Sequence, residues 1–462
     1  MKRLCAVLLL FAGTAVLTAQ GQRQVSLLIT NGIVVTMDGG DRVISPGSVA
    51  IDGTDIVAVD TADAIRRQFR GRDTIDASGQ VIMPGLVNTH THAPMVLYRG
   101  LADDLALMDW LNNYIFPAEA KTVSPEFVRA GTRLAALEMI ESGTTTFADM
   151  YYFEEEIAKE TKAAGLRGVL GQTVIQFPVA DAKTPAEALA RAERFITVYR
   201  NDPLITPAVA PHAIYTNDGP TLKAARELSK KYSVPTLIHV AETSAETKTA
   251  EERGARSVVS YLDTLGFLGP GVVAAHAIWV NDADIALLKA RGVGVSHNPE
   301  SNMKLASGIA PVRAYLSAGV AVGLGTDGAA SNNDLDMFEA MRTASFLQKV
   351  ASSDPTAVNA RAALRMATIG GAAALGMEKQ IGSIEPGKRA DVIVVGMSAA
   401  RQTPMYDPMS HLVYVTRGDD VRTTVVGGKI LMRNRKVATL DEASVLADAK
   451  AWAIKVRAAV AH

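Results

Sequence analysis

Histidine and carboxylate side chains that could hold a metal ion stand at the ends of apolar, strand-like segments. His90 and His92 close the segment VIMPGLVNTHTH, which runs from Val81 to His92. Because side chains alternate between the two faces of a strand, residues two apart point the same way. Two imidazoles that project together are typical metal ligands. Taken alone, the pair is also compatible with two polar residues at the exit of a strand.

Further side chains of these types follow later in the chain. His239 and Glu242 end one apolar segment, and His276 ends the next. Asp327 follows a third segment, within Gly-Thr-Asp-Gly. Singly, each has a structural explanation, since a buried histidine often satisfies only a hydrogen bond and an Asp after Gly-Thr often caps a helix. Together they favour one divalent ion with a position left for water, which is the catalytic arrangement.

The segments that would position these residues alternate with helical stretches, such as 124–142, 184–199 and 220–232. Eight strand–helix units over about 290 residues predict an α/β fold, a (β/α)8 TIM barrel, whose chemistry lies at the carboxyl ends of its strands. Six of the eight histidines fall at those predicted ends. The strands are expected to end near His92, Asp149, Gln172 to Gln176, His212, His239, His276, His297 and Asp327.

Short strands with tight turns occupy both ends of the chain. Asn31-Gly32, Asp52-Gly53 and Gly427-Gly428 each separate two apolar runs, a pattern typical of β-hairpins. Because each β-rich piece is too small to be stable alone, we expect both ends to build one small β-sandwich. The expected organisation is 1–21 as a signal peptide, 22–84 and 379–440 as the two parts of the sandwich, 85–378 as the barrel, and 441–462 as a C-terminal helix.

The first 21 residues have the order of a secretory signal peptide. Lys2 and Arg3 precede an almost wholly apolar run from Leu4 to Leu17, and cleavage is expected near Ala19 to Gly21. The run of about fourteen residues is shorter than the roughly 20 that a membrane span needs. An uncleaved N-terminal anchor is the alternative. We therefore expect an exported protein, periplasmic or secreted, with no stable membrane insertion after cleavage.

Composition narrows the function classes. Apolar residues make up 48% and charged residues 21%, as in soluble globular enzymes. A formal net charge of -1, without clustered basic residues, argues against a nucleic-acid partner and for a small-molecule substrate. The only cysteine, Cys5, lies in the expected signal peptide. Zinc deaminases with cysteine ligands are therefore excluded, and nitrogen and oxygen atoms must hold any metal.

The motifs PGLVNTHTH, HVAE, AAHAIW, SHNPESNMKLASG and GTDG resemble the amidohydrolase superfamily, closest to its methylthioadenosine and S-adenosylhomocysteine deaminases, with triazine hydrolases as near relatives. The resemblance covers essentially all of the chain after Gln24. It implies a metal-dependent barrel, a flanking β-sandwich and a homo-oligomer. One divalent ion is expected, zinc first, with Fe²⁺ or Mn²⁺ as alternatives. Its matched ligands are His90, His92, His239 and Asp327.

The resemblance also implies catalytic roles. Glu242 matches the acid that protonates the ring nitrogen of the substrate, and His276 matches the residue that positions and polarises the hydroxide on the metal. Asp327 would accept a proton from water and pass it to departing ammonia. Binuclear relatives need a bridging ligand, commonly a modified lysine after the fourth strand. That strand ends at His212 and offers no lysine, which favours one metal.

Substrate contacts rest on weaker matches. Glu119 matches a position that hydrogen-bonds ribose hydroxyls, and His212 matches one that reaches the purine or the sugar. Asn302, in the loop after strand seven, is expected at the ligand together with Glu242. Trp110 could stack on a base, but its helical spacing is more typical of core packing.

We therefore predict hydrolytic deamination of a purine nucleoside or a related aminated heteroaromatic ring, with nucleosides like methylthioadenosine, S-adenosylhomocysteine and adenosine as the first substrates to test. The loop after strand three offers only Lys183 to a substrate carboxylate, which a fork-shaped arginine would bind better. One alternative is hydrolysis of another C–X bond on a heteroaromatic ring or of a cyclic amide, of triazine or guanine type. A second is a non-catalytic exported binding protein, which would need neither Glu242 nor His276.

Overall fold

The computed structural model describes residues 21–460, in which the strands form two sheets. The expected signal peptide, except Gly21, lies outside the described residues. Within 21–460, no helix has the length and apolar character that a membrane span requires.

Strands from both ends of the chain pair into one nine-stranded sheet, separate from the barrel. The ends are joined where β14 pairs antiparallel with β5, with Val392 opposite Pro84. The predicted β-structure built from both chain ends is confirmed. Its strands are β1 (Arg23–Val35), β2 (Val43–Asp52), β3 (Asp55–Thr61), β4 (Phe69–Asp76), β5 (Gln80–Pro84) and, after the barrel, β14 (Val392–Gly396), β15 (Val421–Val426), β16 (Lys429–Arg433) and β17 (Lys436–Val437).

The predicted hairpin turn at Asn31-Gly32 is wrong, because β1 continues through it. Asn31 has a φ of 63°, and the register against β2 shifts between Ile29 and Gly32. The dipeptide is therefore a bulge, for which Asn tolerates the left-handed conformation. A Cβ on Gly32 would lie 2.7 Å from a side-chain carbon of Ile82, so the close approach of β5 needs glycine. The other two predicted hairpins, β2–β3 and β15–β16, are confirmed.

Eight parallel strands follow one another in chain order and form the predicted (β/α)8 barrel. The first and last strands meet where the Asp327 amide donates to the His90 carbonyl at 3.0 Å and the Thr89 hydroxyl donates to the Leu324 carbonyl at 2.9 Å. The strands are β6 (Leu86–Thr91), β7 (Thr144–Tyr151), β8 (Arg167–Val174), β9 (Ile205–Pro211), β10 (Thr236–Val240), β11 (Val272–His276), β12 (Gly294–His297) and β13 (Ala321–Leu324).

Side-chain caps set where several helices begin. Ser124, Thr184 and Asp218 each accept a hydrogen bond from a backbone amide three residues on, which satisfies an otherwise free donor. The three helices predicted there are confirmed. The α-helices are α1 (Ala62–Gln68), α2 (Leu107–Trp110), α3 (Phe116–Thr122), α4 (Pro125–Ser142), α5 (Glu154–Ala164), α6 (Pro185–Tyr199), α7 (Gly219–Tyr232), α8 (Ala245–Glu252), α9 (Val258–Thr264), α10 (Asp282–Arg291), α11 (Pro299–Lys304), α12 (Val312–Ala318), α13 (Met337–Ser352), α14 (Ala360–Met366), α15 (Ile369–Ala374), α16 (Pro408–Tyr414) and α17 (Glu442–Val460).

A buried ion pair joins the barrel to the nine-stranded sheet. Arg167, in β8, places Nε 2.9 Å from Oδ2 of Asp391, which directly precedes β14, and the side chains are only 5% and 2% exposed. The other Asp391 oxygen accepts the Gly427 amide at 2.7 Å. Arg167 also donates to the Pro203 carbonyl at 2.9 Å. The buried charges of Arg167 and Asp391 therefore compensate each other.

Replacing Arg167 by alanine is expected to lower the free energy of unfolding by about 3 kcal/mol or more, because a buried carboxylate loses its partner. Urea unfolding measures the change. Arg23→Ala is the control, since it breaks the exposed Arg23–Asp52 pair and should cost less than about 1 kcal/mol. Equal unfolding midpoints for the two variants would contradict the prediction.

Candidate active site

The four residues predicted as metal ligands converge at the carboxyl end of the barrel. Nε2 of His90 lies 3.4 Å, and Nε2 of His92 lies 3.3 Å, from Oδ1 of Asp327. Nε2 of His239, at the end of β10, lies 3.4 Å from Nε2 of His92. Ligand atoms held about 2.0 Å from one ion are separated by roughly 3.3 Å in a tetrahedral arrangement. The spacing in the structure fits such an ion.

Hydrogen bonds on the outer ring nitrogens orient two of these histidines. Nδ1 of His92 lies 2.7 Å from the Met150 carbonyl, and Nδ1 of His239 lies 2.8 Å from the His212 carbonyl. Because a carbonyl only accepts, each Nδ1 carries the proton and each Nε2 presents a lone pair to the centre. Two lone pairs cannot bond to each other, and the buried Nε2 of His90 has no hydrogen-bond partner. A cation satisfies all three nitrogens.

The electrostatics of the centre also favour a cation. Burial raises the pKa of Asp327, but the close contacts and charges of His90 and His92 outweigh it and hold that pKa well below its usual range. Burial alone lowers the pKa of His92, yet Asp327 raises it to about 9. Burial lowers the pKa of His90 to about 4. An ionised, buried Asp327 needs a positive partner, which either a protonated His92 or a bound cation can supply.

His276 lies beside the centre and faces both carboxylates. Its Nε2 is 3.8 Å from Oε2 of Glu242 and 3.8 Å from Oδ2 of Asp327. Ring nitrogens of His90, His239 and His276 lie within 4.8 Å of one another, as do the nearest ligand atoms of His90, His92 and Asp327. His276 and Asp327 have φ of 68° and 65°, left-handed values that are uncommon for residues other than glycine and that cluster at functional sites.

Glu242 has the opposite electrostatics to Asp327. Burial, reinforced by the charge of Asp327, raises the pKa of Glu242 to about 8, so the carboxyl keeps its proton at neutral pH. Glu246 holds the turn beneath it, because its Oε1 accepts the amides of Glu242 at 2.7 Å and Thr243 at 3.2 Å. Glu246 was not predicted from the sequence, although a glutamate three residues after threonine is the signal of such a turn.

A cavity opens from the metal centre at the carboxyl end of the barrel. Glu242, His276, Glu119 and His212 all line it, so the structure brings three predicted substrate contacts and the catalytic pair into one space. Trp110, expected in the core, also lines it. The complete lining is His92, Met95, Leu107, Trp110, Leu111, Ile115, Phe116, Glu119, Met150, Tyr151, Tyr152, Thr173, His212, Tyr215, His239, Glu242, His276, Leu305, Asp327 and Ser331.

Glu119 and His212 face this cavity with different hydrogen-bonding capacities. Oε1 of Glu119 accepts the Tyr151 hydroxyl at 2.7 Å, and Oε2 accepts the Tyr152 hydroxyl at 3.5 Å. Burial raises the pKa of Glu119 to about 7. Burial lowers the pKa of His212 to about 3, and its Nδ1 lies 3.1 Å from the Thr216 hydroxyl. Glu119 is an acceptor, whereas His212 is a neutral imidazole with Nε2 free for a ligand.

A π-helical turn brings Trp110 and Glu119 to the same cavity. At roughly 100° per residue, an uninterrupted α-helix would put residues nine apart on opposite faces. Leu111–Ile115 instead forms a π turn between α2 and α3, which takes up one extra residue. Because the turn rotates α3 back by about one residue, Glu119 and Trp110 both face inward. Helical periodicity in the sequence does not show this.

Asn302 is not among the residues that line the cavity, and its expected contact with the ligand stays a prediction. Its Oδ1 lies 2.8 Å from Nδ1 of His276, behind that ring, and the residue is buried. Its observed contact is therefore with His276. The neighbouring Ser301, which the sequence analysis did not single out, donates to Oδ2 of Asp327 at 2.7 Å. Both lie in α11, in the SHNPESN run that follows strand seven.

Comparison with known proteins shows the family of the chain. Residues 81–431 match the model of the amidohydrolase family. The chain belongs to that family. Its metal dependence agrees with the convergent lone pairs around Asp327.

Three relatives cover nearly all of the chain. A 5-methylthioadenosine/S-adenosylhomocysteine deaminase from Syntrophobacter fumaroxidans is 47% identical over 426 residues, 92% of this chain and 97% of that protein. A 5'-deoxyadenosine deaminase from Methanosarcina barkeri is 47% identical over 427 residues, covering 92% and 96%. The crystal structure of an adenosine deaminase from Xanthomonas campestris with bound zinc is 40% identical, has a TM-score of 0.93, and covers 95% and 100%.

We expect one divalent ion per chain, lost on substitution of a ligand. In His92→Ala the affinity for the metal should fall by more than about hundredfold. Loss of a group that only orients a metal ligand already lowers metal affinity by about 10–100-fold, and His92 is a proposed ligand itself. Elemental analysis after dialysis measures the metal content per chain. His411→Ala, in α16 outside the barrel, is the control and should keep the wild-type content. Full metal content in His92→Ala would show that His92 is not a ligand.

Proposed function

We propose that this protein is a metal-dependent aminohydrolase that converts the amino group of an adenosine-type nucleoside to a carbonyl, with release of ammonia. The observation that carries the proposal is one cavity lined by three of the proposed metal ligands, by Glu242 and by Glu119. A carboxylate is a natural acceptor for two adjacent hydroxyls. A bare guanine or triazine ring has no such hydroxyls, which favours a nucleoside over those rings.

The proposed ion is zinc, held by His90, His92, His239 and Asp327. A bound divalent ion lowers the pKa of water towards about 7 and so supplies a nucleophile at neutral pH. Zinc accepts nitrogen and oxygen ligands of this kind, and the similar structure from Xanthomonas campestris binds zinc. The tautomers of His92 and His239, fixed by their carbonyl partners, are those that metal binding needs.

Proton transfers fall to three residues of the chain. Protonated Glu242 donates to the ring nitrogen next to the carbon under attack, which makes that carbon a better electrophile. His276, whose Nδ1 donates to Asn302, presents the Nε2 lone pair and accepts a hydrogen bond from the attacking water. Asp327, ionised, takes the proton that the water loses. That proton then passes to the amino group, which leaves as ammonia, and the hydroxyl on the ring carbon returns a proton to Glu242 as the carbonyl forms.

Adenosine deamination by the metal-loaded protein, and its loss in Glu242→Gln, tests the proposal. The wild type should release one ammonia for each adenosine consumed. Glu242→Gln should keep its metal but lose about 10²–10⁴-fold in kcat, because an amide cannot donate the acid proton. Coupled ammonia release and elemental analysis measure the two properties.

Glu251→Gln is the matched control, since it makes the same change on the exposed side of α8. Its kcat should equal that of the wild type. Undiminished turnover in Glu242→Gln would disprove the proton-transfer role. Absence of ammonia from adenosine, methylthioadenosine, guanine and an aminotriazine alike would disprove the deaminase activity.

We also propose export, on the strength of the N-terminal charge and apolar pattern in the sequence. When the full chain is produced in a Gram-negative host, the protein should appear in the periplasm with an N-terminus near Ala19 to Gln22. Fractionation and N-terminal sequencing measure this. A chain lacking residues 2–21 is the control and should stay in the cytoplasm. Retention of Lys2 and Arg3 on the exported or cytoplasmic protein would contradict cleavage.

A further inference from the structure

Two buried carboxyl groups close to His92 have no part in the proposed reaction. Asp149 lies near the end of β7, and Glu154 is the first residue of α5. Both are fully buried, and neither is among the residues that line the cavity. Burial of a carboxylate is costly unless hydrogen bonds or an opposite charge compensate it. The contacts of the two groups therefore indicate what they do.

Asp149 holds the end of the barrel strand that carries His92. Its Oδ1 accepts the amide of Ala93 at 2.5 Å and lies 2.7 Å from the hydroxyl of Thr91. Those two residues flank His92 in the chain. The next residue of β7, Met150, places its carbonyl 2.7 Å from Nδ1 of the His92 ring. Asp149 and Met150 together therefore fix both the backbone around His92 and the direction of its ring.

Glu154 supplies the hydrogen bond that Asp149 otherwise lacks. Oε1 of Glu154 accepts the Tyr151 amide at 2.9 Å, which closes the turn from β7 into α5. The remaining oxygens, Oε2 of Glu154 and Oδ2 of Asp149, are buried and receive no hydrogen bond from an N–H group or a hydroxyl of the described chain. The two carboxyl side chains hydrogen-bond each other. Because an ionised carboxylate only accepts, one proton must lie between them.

Electrostatics assign that proton to Glu154. Burial, reinforced by the charge of Asp149, raises the pKa of Glu154 well above its usual range. Burial also raises the pKa of Asp149, but only to about 6, because the Ala93 amide and the charge of His92 oppose it. At neutral pH the pair therefore carries one proton and one negative charge.

We propose that Asp149 and Glu154 form a positioning pair, joined by one shared proton, that aims Nε2 of His92 at the metal ion. The shared proton fixes the Asp149 side chain through both of its oxygens. Without it, Oδ2 would be a buried acceptor with no donor, and the side chain would be free to turn away from Thr91 and Ala93. This inference rests on the proposed metal centre and adds to it the residues that support one ligand.

The metal affinity of Glu154 variants tests the positioning role. Glu154→Gln replaces the shared proton by an amide hydrogen and should keep the wild-type affinity for zinc. Glu154→Met has a side chain of similar size without a donor, and should lower the affinity by about 10–100-fold, as loss of a group that orients a metal ligand does. Glu154→Asp, whose carboxyl is one methylene shorter, should change the affinity in the same direction while disturbing the fold less. Competition with a chromogenic chelator on the folded proteins measures the dissociation constants.

Glu155→Met is the matched control, since it makes the same change at the next residue of α5, whose carboxylate is 35% exposed and pairs with Arg191. Its zinc affinity should equal that of the wild type. Wild-type affinity in both Glu154→Met and Glu154→Asp would overturn the proposal. A loss in Glu154→Gln equal to that in Glu154→Met would overturn it as well, because the amide supplies the donor.

Infrared spectroscopy of the zinc-loaded protein tests the shared proton without any measurement of activity. At neutral pH, the difference spectrum between the wild type and Glu154→Gln should contain the carbonyl band of a protonated carboxyl. A difference spectrum that contains only carboxylate bands would show that both groups are ionised, and the proposal would be wrong.

The inference and the proposed function fail in different ways. A wild-type protein that binds no zinc would contradict the metal centre, and with it both proposals. If the wild type binds zinc and deaminates adenosine, but the Glu154 variants keep full zinc affinity, the deaminase stands and only the positioning pair is wrong.

Discussion

The buried carboxylate of Asp327 is the group on which the rest of the site depends. It remains ionised, because the histidines around it hold its pKa well below the usual range. An unpaired charge at such a position costs several kcal/mol. The Nε2 atoms of His90 and His92 converge on one of its oxygens, and the Ser301 hydroxyl satisfies the other. A cation in place of the proton on His92 completes this set, so the centre fits metal binding before any reaction is considered.

Closure of the barrel is what brings these groups together. His90 and Asp327 stand 237 positions apart in the chain, at its first and last barrel strands. They meet because the Asp327 amide donates to the His90 carbonyl at 3.0 Å. The same hydrogen bond that closes the sheet therefore sets the distance between ligands. Any change that opens the seam between β6 and β13 should weaken the metal centre as well as the fold.

The sequence predicted the parts of the site that follow from strand periodicity. The spacing of His90 and His92 and the placement of histidines after apolar runs were sufficient, because parallel strands bring their ends to one face. Prediction from the sequence failed where a local irregularity or a long-range packing contact determines the backbone conformation. Asn31-Gly32 has the composition of a turn but is a bulge fixed by Ile82. The inward face of Glu119 depends on a π turn, which no residue pattern marked.

The opposite pKa shifts of Glu242 and Asp327 explain how one buried site can supply both an acid and a base. Both carboxyls are desolvated, and desolvation raises both pKa values. Asp327 is ionised because the histidines contact it, whereas for Glu242 burial and the Asp327 charge outweigh the opposing charge of His92. The negative charge of Asp327 therefore favours a protonated Glu242. A neutral Glu242 in turn adds no charge that would oppose the ionisation of Asp327. Deamination needs this division, since one group must give a proton to the ring while another takes one from water.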